Sequence, residues 1–213
     1  MSDLDAARRA LLDAALSHIP FDGWSDKSLG AAARDLGLPA ESVARAFPGG
    51  AAGLAAYFSA EFDRRMTAEL AGLDLAGMAV RARICAAVRA RLELLAAHKE
   101  AVRRLAAYSA LPGRGFGAVR ALAATVDAIW RATGDASTDF NYYTKRGLLA
   151  PVYGATLLYW LSDESEGSEE TWAFLERRIA EILKIPALQG RIIKLAGHIP
   201  TLPGILKRVR QRL

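Results

Sequence analysis

"SDKSLGAAARDLGLPAESVARAFPGG", residues 25–50, fixes the first structural motif of the chain. Ser25 or Asp26 can cap a helix that runs through Leu36, where Gly37 stops it. A second, shorter helix is predicted over Pro39–Phe47, with proline near its first turn. Pro48, Gly49 and Gly50 then break the chain again. Two short helices joined by a tight glycine-containing turn form a helix-turn-helix.

The rest of the chain is also helical in pattern. Upstream, Leu11, Leu12, Ala15 and Ile19 give Ala6–His18 a helical stripe that should end before Pro20. Downstream, Leu54, Tyr57, Phe58, Phe62 and Met66 share one face of a longer helix. One continuous helix is expected over Asp74–Tyr108, on the spine Val80, Ile84, Val88, Leu92, Leu95 and Val102. Further helices are predicted over Gly117–Arg131, from Ser137 to Leu161, and after the acidic loop "SDESEGSEE", with Ser168 as the last cap. The final stripe is Trp172, Leu175, Ile179, Ile182 and Leu183, ending at Pro186. With no credible strand or internal repeat, the fold class is all-α. The expected units are a helix-turn-helix-like domain at 1–70, a helical domain at 71–186 and a basic tail at 187–213.

Composition limits the function classes. Hydrophobic residues make up 52% and charged residues 24% of the 213, enough for a real core in a soluble protein. The lone Cys85 excludes an intrachain disulfide and fits a reducing compartment. No apolar stretch reaches the roughly 20 residues of a membrane span. Asp3, Asp5 and Asp13 make the start unlike a signal or transit peptide. The expected location is therefore cytoplasmic, with membrane contact still open.

Charge is unevenly distributed. Residues 1–70 hold seven basic and ten acidic residues, a net of −3, whereas Lys184 to Leu213 hold seven bases and no acid. The helix-turn-helix layout, with Phe47-Pro48 closing the short helix, resembles the N-terminal domain of TetR-type regulators. Such regulators place that helix in the major groove, which needs phosphate-binding bases. Here it offers Arg45 but also Glu41, inside an acidic segment, which disfavours DNA as a partner.

Signals of catalysis are weak. "GRGFG", residues 113–117, follows no strand, so it fits an inter-helix loop better than a phosphate loop. His18, His98 and His198 are scattered, no ligand spacing builds a metal site, and no nucleophile–base pair is suggested. No catalytic or metal-binding residue is assigned, no cofactor is expected, and the protein is not expected to be an enzyme.

The tail is more informative. In "TLPGILKRVRQRL", Leu202, Ile205, Leu206 and Val209 recur at helical spacing, with Lys207 and Arg208 between them. Before it, Ile192 and Ile193 begin a similar face. A basic amphipathic segment without acids is the pattern of an interfacial helix on anionic lipid, although a terminal helix docked on its own domain reads alike.

"STDFNYYTKR", residues 137–146, concentrates aromatic and basic groups. On a helical wheel Phe140, Tyr143, Gly147, Gly154 and Leu158 share one face, which is expected to point inward. Tyr142, Arg146, Leu149, Tyr153, Leu157 and Trp160 share the opposite face, expected to be available to a partner. Pro151 is expected to bend the helix. A stripe of Tyr, Arg, Leu and Trp suits either an interface or a central core helix.

"GDASTDFNYYTKRGLLAPVYGATLLYWLSDES" with the following "TWAFLERRI" resembles the signature region of the ubiquinone-biosynthesis accessory protein family (coenzyme Q biosynthesis protein nine). The resemblance covers most of residues 134–180. It implies a TetR-regulator-like bundle that does not act through DNA, with a helical pocket for ubiquinone-like isoprenoids and a membrane-contacting amphipathic tail. The implied partner is the ferritin-like di-iron hydroxylase of demethoxyubiquinone, met through Tyr142, Tyr143, Lys145 and Arg146. The implied ligand is an isoprenoid quinone or another lipid, and the implied setting is the cytoplasmic face of a bacterial inner membrane. Periodicity offers Leu92, Leu95, Leu122, Ile129, Leu148, Val152 and Leu158 as pocket lining. A homodimer remains open, and a ligand-responsive transcriptional repressor is the rival from another class.

Overall fold

The computed structural model describes residues 3–135 and 140–184, and among them every regular element is a helix. The α-helices are α1 (Asp3–Asp22), α2 (Asp26–Asp35), α3 (Ala40–Ala46), α4 (Gly50–Leu70), α5 (Val80–Leu95), α6 (Lys99–Ser109), α7 (Gly115–Ala132), α8 (Phe140–Ser162) and α9 (Glu169–Lys184).

The helix-turn-helix forms as expected, and its caps explain why. Ser25 Oγ accepts from Ser28 N–H at 3.3 Å while Ser28 Oγ accepts from Ser25 N–H at 3.4 Å, a reciprocal box at the start of α2. Asp26, the other capping candidate, serves a different helix: its Oδ1 accepts from Ala51 N–H at 2.8 Å, at the start of α4. Gly50 makes that approach possible. Its φ is +55°, and a Cβ there would stand 2.5 Å from Asp26 Oδ1.

Three boundaries differ from expectation. Helix α1 continues through Pro20 to Asp22, because proline so near the end forfeits one bond to Leu16 and Gly23 closes the last turn on Ile19 at 2.9 Å. The segment from Asp74 to Tyr108 is not one helix. It starts only at Val80 and is interrupted by a 3₁₀ turn at Ala96–His98. Contacts from distant residues accompany that break: the His98 ring packs edge-on to Phe62, and Trp24 Nε1 donates to Ala101 O at 2.9 Å. Ser168 does not cap α9. It has a positive φ within a short 3₁₀ turn, and Asp163 instead accepts from Thr171 N–H at 2.9 Å.

A single hydrophobic cluster runs from Leu11 to Ile179. Trp24 packs edge to face on Phe58, and Phe58 lies tilted against Phe62, where α1–α3 meet α4. Helix α4 packs on α2, α5 and α7, so it links the helix-turn-helix to the rest of the bundle. Helix α8 lies between α7 and α9, and α5 also packs against α9.

Candidate functional site

Between α4, α5, α6, α7 and α8 lies a cavity of about 420 Å³. Such a volume is within the range of small-molecule sites. It exists because small residues face one another: Ala52, Ala55 and Ala56 of α4 oppose Ala118 and Ala121 of α7. Phe58, Leu95, Val102, Leu105, Leu122 and Leu157 complete apolar walls. Gly113, Arg114 and Gly117 line it where α6 gives way to α7, and Leu158, exposed by 60%, lines it on α8.

One region of the cavity is polar. Arg91, buried within α5, donates from Nε to Asp63 Oδ1 at 2.7 Å and from Nη1 to the Tyr153 hydroxyl. Its Nη2 reaches Ser59 Oγ at 3.2 Å and Thr125 Oγ1 at 3.4 Å, and Thr125 donates to Asp63 at 3.0 Å. Burial favours the neutral phenol and pushes the Tyr153 hydroxyl up; Asp63 adds to this, while Arg91 opposes it. Tyr108 also lines the cavity, and its hydroxyl is buried with no hydrogen-bond partner among the described residues.

Of the residues expected to line a pocket, Leu95, Leu122 and Leu158 do so. Leu92, Ile129 and Val152 are buried core instead, and Leu148 lines a second cavity of about 300 Å³ with Trp130, Lys145 and Ile182. Periodicity marks the buried face of a helix, but a wall and a core contact look alike along the chain. The alanines and the polar group were missed. Arg91 did leave a signal: it falls on the stripe of Ile84, Val88, Leu92 and Leu95, where a charge needs a buried partner.

The two faces of α8 are reversed relative to expectation. Leu149, Tyr153 and Trp160 are buried, whereas Tyr143 is 73% exposed and Leu158 and Gly147 also face outward. Among the expected partner-binding residues, Arg146 is largely enclosed, its side chain only 12% exposed. Its Nε donates to Asp127 Oδ1 at 2.7 Å and its Nη1 to Asp135 Oδ2 at 3.0 Å. Tyr142 donates to the same Asp127 oxygen at 3.1 Å, and the Arg146 guanidinium lies 3.5 Å over its ring. Lys145 binds Asp135 Oδ1 at 2.7 Å. Burial alone would raise the Asp127 carboxyl, but Arg146 and Tyr142 hold it below the usual range. These charges brace α8 against α7, and Tyr143 is left as the exposed aromatic. The helix continues through Pro151 to Ser162.

The expected membrane-binding residues Ile192, Ile193, Leu202, Ile205, Leu206, Lys207, Arg208 and Val209 lie outside the described residues. Among the described residues no helix is long and apolar enough to cross a membrane.

Residues 117–186, spanning the α7 wall, the braced region and α9, match the COQ9 family model. The chain is 32% identical to the mitochondrial ubiquinone biosynthesis protein COQ9 of Drosophila melanogaster over 85% of its own length and 57% of that protein. It is 32% identical to the human protein of the same name, over 82% and 57% respectively. It therefore spans little more than half the length of these relatives. A TetR transcriptional regulator from Nitrosomonas europaea superposes with a TM-score of 0.68 at 21% identity, over 84% of this chain and 99% of that one. The fold is thus that of the TetR-type regulators.

Proposed function

From the premise that this chain is a relative of the COQ9 proteins, we propose that it is a noncatalytic lipid-binding accessory protein of ubiquinone biosynthesis. It takes a membrane quinone precursor into the cavity and presents it to the di-iron demethoxyubiquinone hydroxylase. The observation that carries this is the apolar cavity of about 420 Å³ inside a bundle whose α7–α9 segment matches the family. Each methylene buried there would contribute about 0.8 kcal/mol, so a few isoprene carbons suffice for useful affinity. Residues 187–213, basic and without acids from Lys184 onward, dock the protein on an anionic bilayer. The outward face of α8, with exposed Tyr143, engages the hydroxylase.

DNA is disfavoured as a partner by the charges of the helix-turn-helix region. Arg8 is bound to Ala46 O, Arg9, Arg64 and Arg65 lie on Glu61, and Lys27 lies on Asp22. Little positive charge then remains for phosphates.

Mass spectrometry of lipids that copurify with gently isolated protein tests the cavity. An isoprenoid quinone species is expected with the unmodified chain and is expected to be lost in Leu122→Trp, which fills the space. An empty cavity, or unselected phospholipid, would remove quinone specificity.

A further inference from the structure

An apolar cavity alone would hold any hydrocarbon, but this one contains a specific donor. The Tyr153 oxygen accepts from Arg91 Nη1, and the hydroxyl still has a hydrogen of its own to give. Among the described residues no acceptor receives that hydrogen, although Tyr153 is only 3% exposed and lines the cavity. A buried donor without an acceptor is costly, and such groups usually mark a place for water or ligand. Burial keeps the phenol protonated, so the hydrogen is present at neutral pH.

We propose that the Tyr153 hydroxyl, held in place by Arg91, is the recognition group for an uncharged oxygen acceptor on the ring of a prenylated ligand, which enters ring first. This rests on the lipid-cavity function proposed above. Two features define the ligand class. Asp63 already matches the Arg91 charge at 2.7 Å, so a carboxylate would bring a second anion into a low-dielectric site beside Asp63. A carbonyl or ether oxygen accepts the hydrogen without that penalty. The rim also suits an emerging tail. Beside the lining residues Gly113, Gly117 and Ala118, Phe116 is 81% exposed, and Leu111 and Val119 are exposed as well. An isoprenoid too long for about 420 Å³ would leave over these apolar side chains.

The test uses the full chain, freed of copurified lipid, and three probes of matched tail length. These are a short-chain ubiquinone, a fatty acid and a prenyl hydrocarbon, titrated by tryptophan fluorescence. The unmodified protein should prefer the quinone to the fatty acid. Tyr153→Phe should weaken the quinone roughly threefold to tenfold, the worth of one hydrogen bond, and leave the hydrocarbon unchanged. Equal losses for both probes, or no loss for either, would overturn the proposal. If Tyr153→Phe does not fold, the unmodified protein still decides: equal affinity for quinone, fatty acid and hydrocarbon rules out a neutral-acceptor site while leaving the lipid cavity intact. Failure of all three probes to bind would remove the lipid-cavity function, and this proposal with it.

Discussion

Replacing Arg91 by methionine probes the charge network on which both the bundle and the cavity depend. Methionine is unbranched and can occupy much of the space left by the arginine stem, so packing loss should be small. The electrostatic loss should not be. Asp63 is buried, and it would keep only the Thr125 hydroxyl at 3.0 Å, while Ser59 and Tyr153 would lose their donor. Removing one partner of a buried ion pair costs about 3–5 kcal/mol. In a chain of this size each kcal/mol lowers Tm by about 2–4 °C, so Arg91→Met should melt roughly 6–20 °C earlier. Urea unfolding followed by circular dichroism gives the free energy directly. The double variant Arg91→Met with Asp63→Leu should be more stable than Arg91→Met alone, because no charge remains stranded. A loss below about 1 kcal/mol in the single variant, or a double variant as unstable as the two singles added, would refute the network's role.

Other positions make independent predictions. Gly50→Ala forces an L side chain into φ +55° and sets its Cβ 2.5 Å from Asp26 Oδ1, so a loss of about 1–3 kcal/mol is expected in thermal melts; an unchanged Tm would exclude that clash. Asp163 is held well below the usual carboxylate range: burial alone would raise it, but donors from Ser165 and Thr171 outweigh that. Its stabilisation is therefore fully present above about pH 4 and is lost as pH falls further. Asp163→Asn should flatten acid unfolding in that window, and a profile parallel to the parent's would contradict it. Burial, with help from Glu176, pushes the Cys85 thiol up to about 11. At pH 8 only roughly one part in a thousand would be thiolate, so an aromatic disulfide reagent should react far more slowly than with glutathione; comparable rates would show the thiol to be open.

The local punctuation of the helix-turn-helix was legible because its causes are local. Ser25, Gly37, Pro39 and the Pro48–Gly50 break act on their own turns, and the structure places the boundaries within a residue or so of the expected ones. The all-α class and the stripe of α9 follow from periodicity in the same way. The resemblance to the COQ9 family was legible through the run from Gly134 onward, whose residue types are unusual in combination.

Other features had causes that lie far away in sequence. Helix α8 is apolar on both sides, so its wheel could not say which side is wet. Asp127 and Asp135 decided it by claiming Tyr142, Lys145 and Arg146, and Arg91 did so again by meeting Tyr153. The cavity was hidden for a related reason. It is an absence of side chain between five helices, and facing alanines read along the chain only as good helix formers. Sequence by itself determined that the chain is helical and where the helix-turn-helix starts and stops, because caps, prolines and periodicity act within a turn or two. Only the tertiary structure decided which face of α8 is buried and where space remains, because burial and charge pairing depend on residues brought together from opposite ends of the fold.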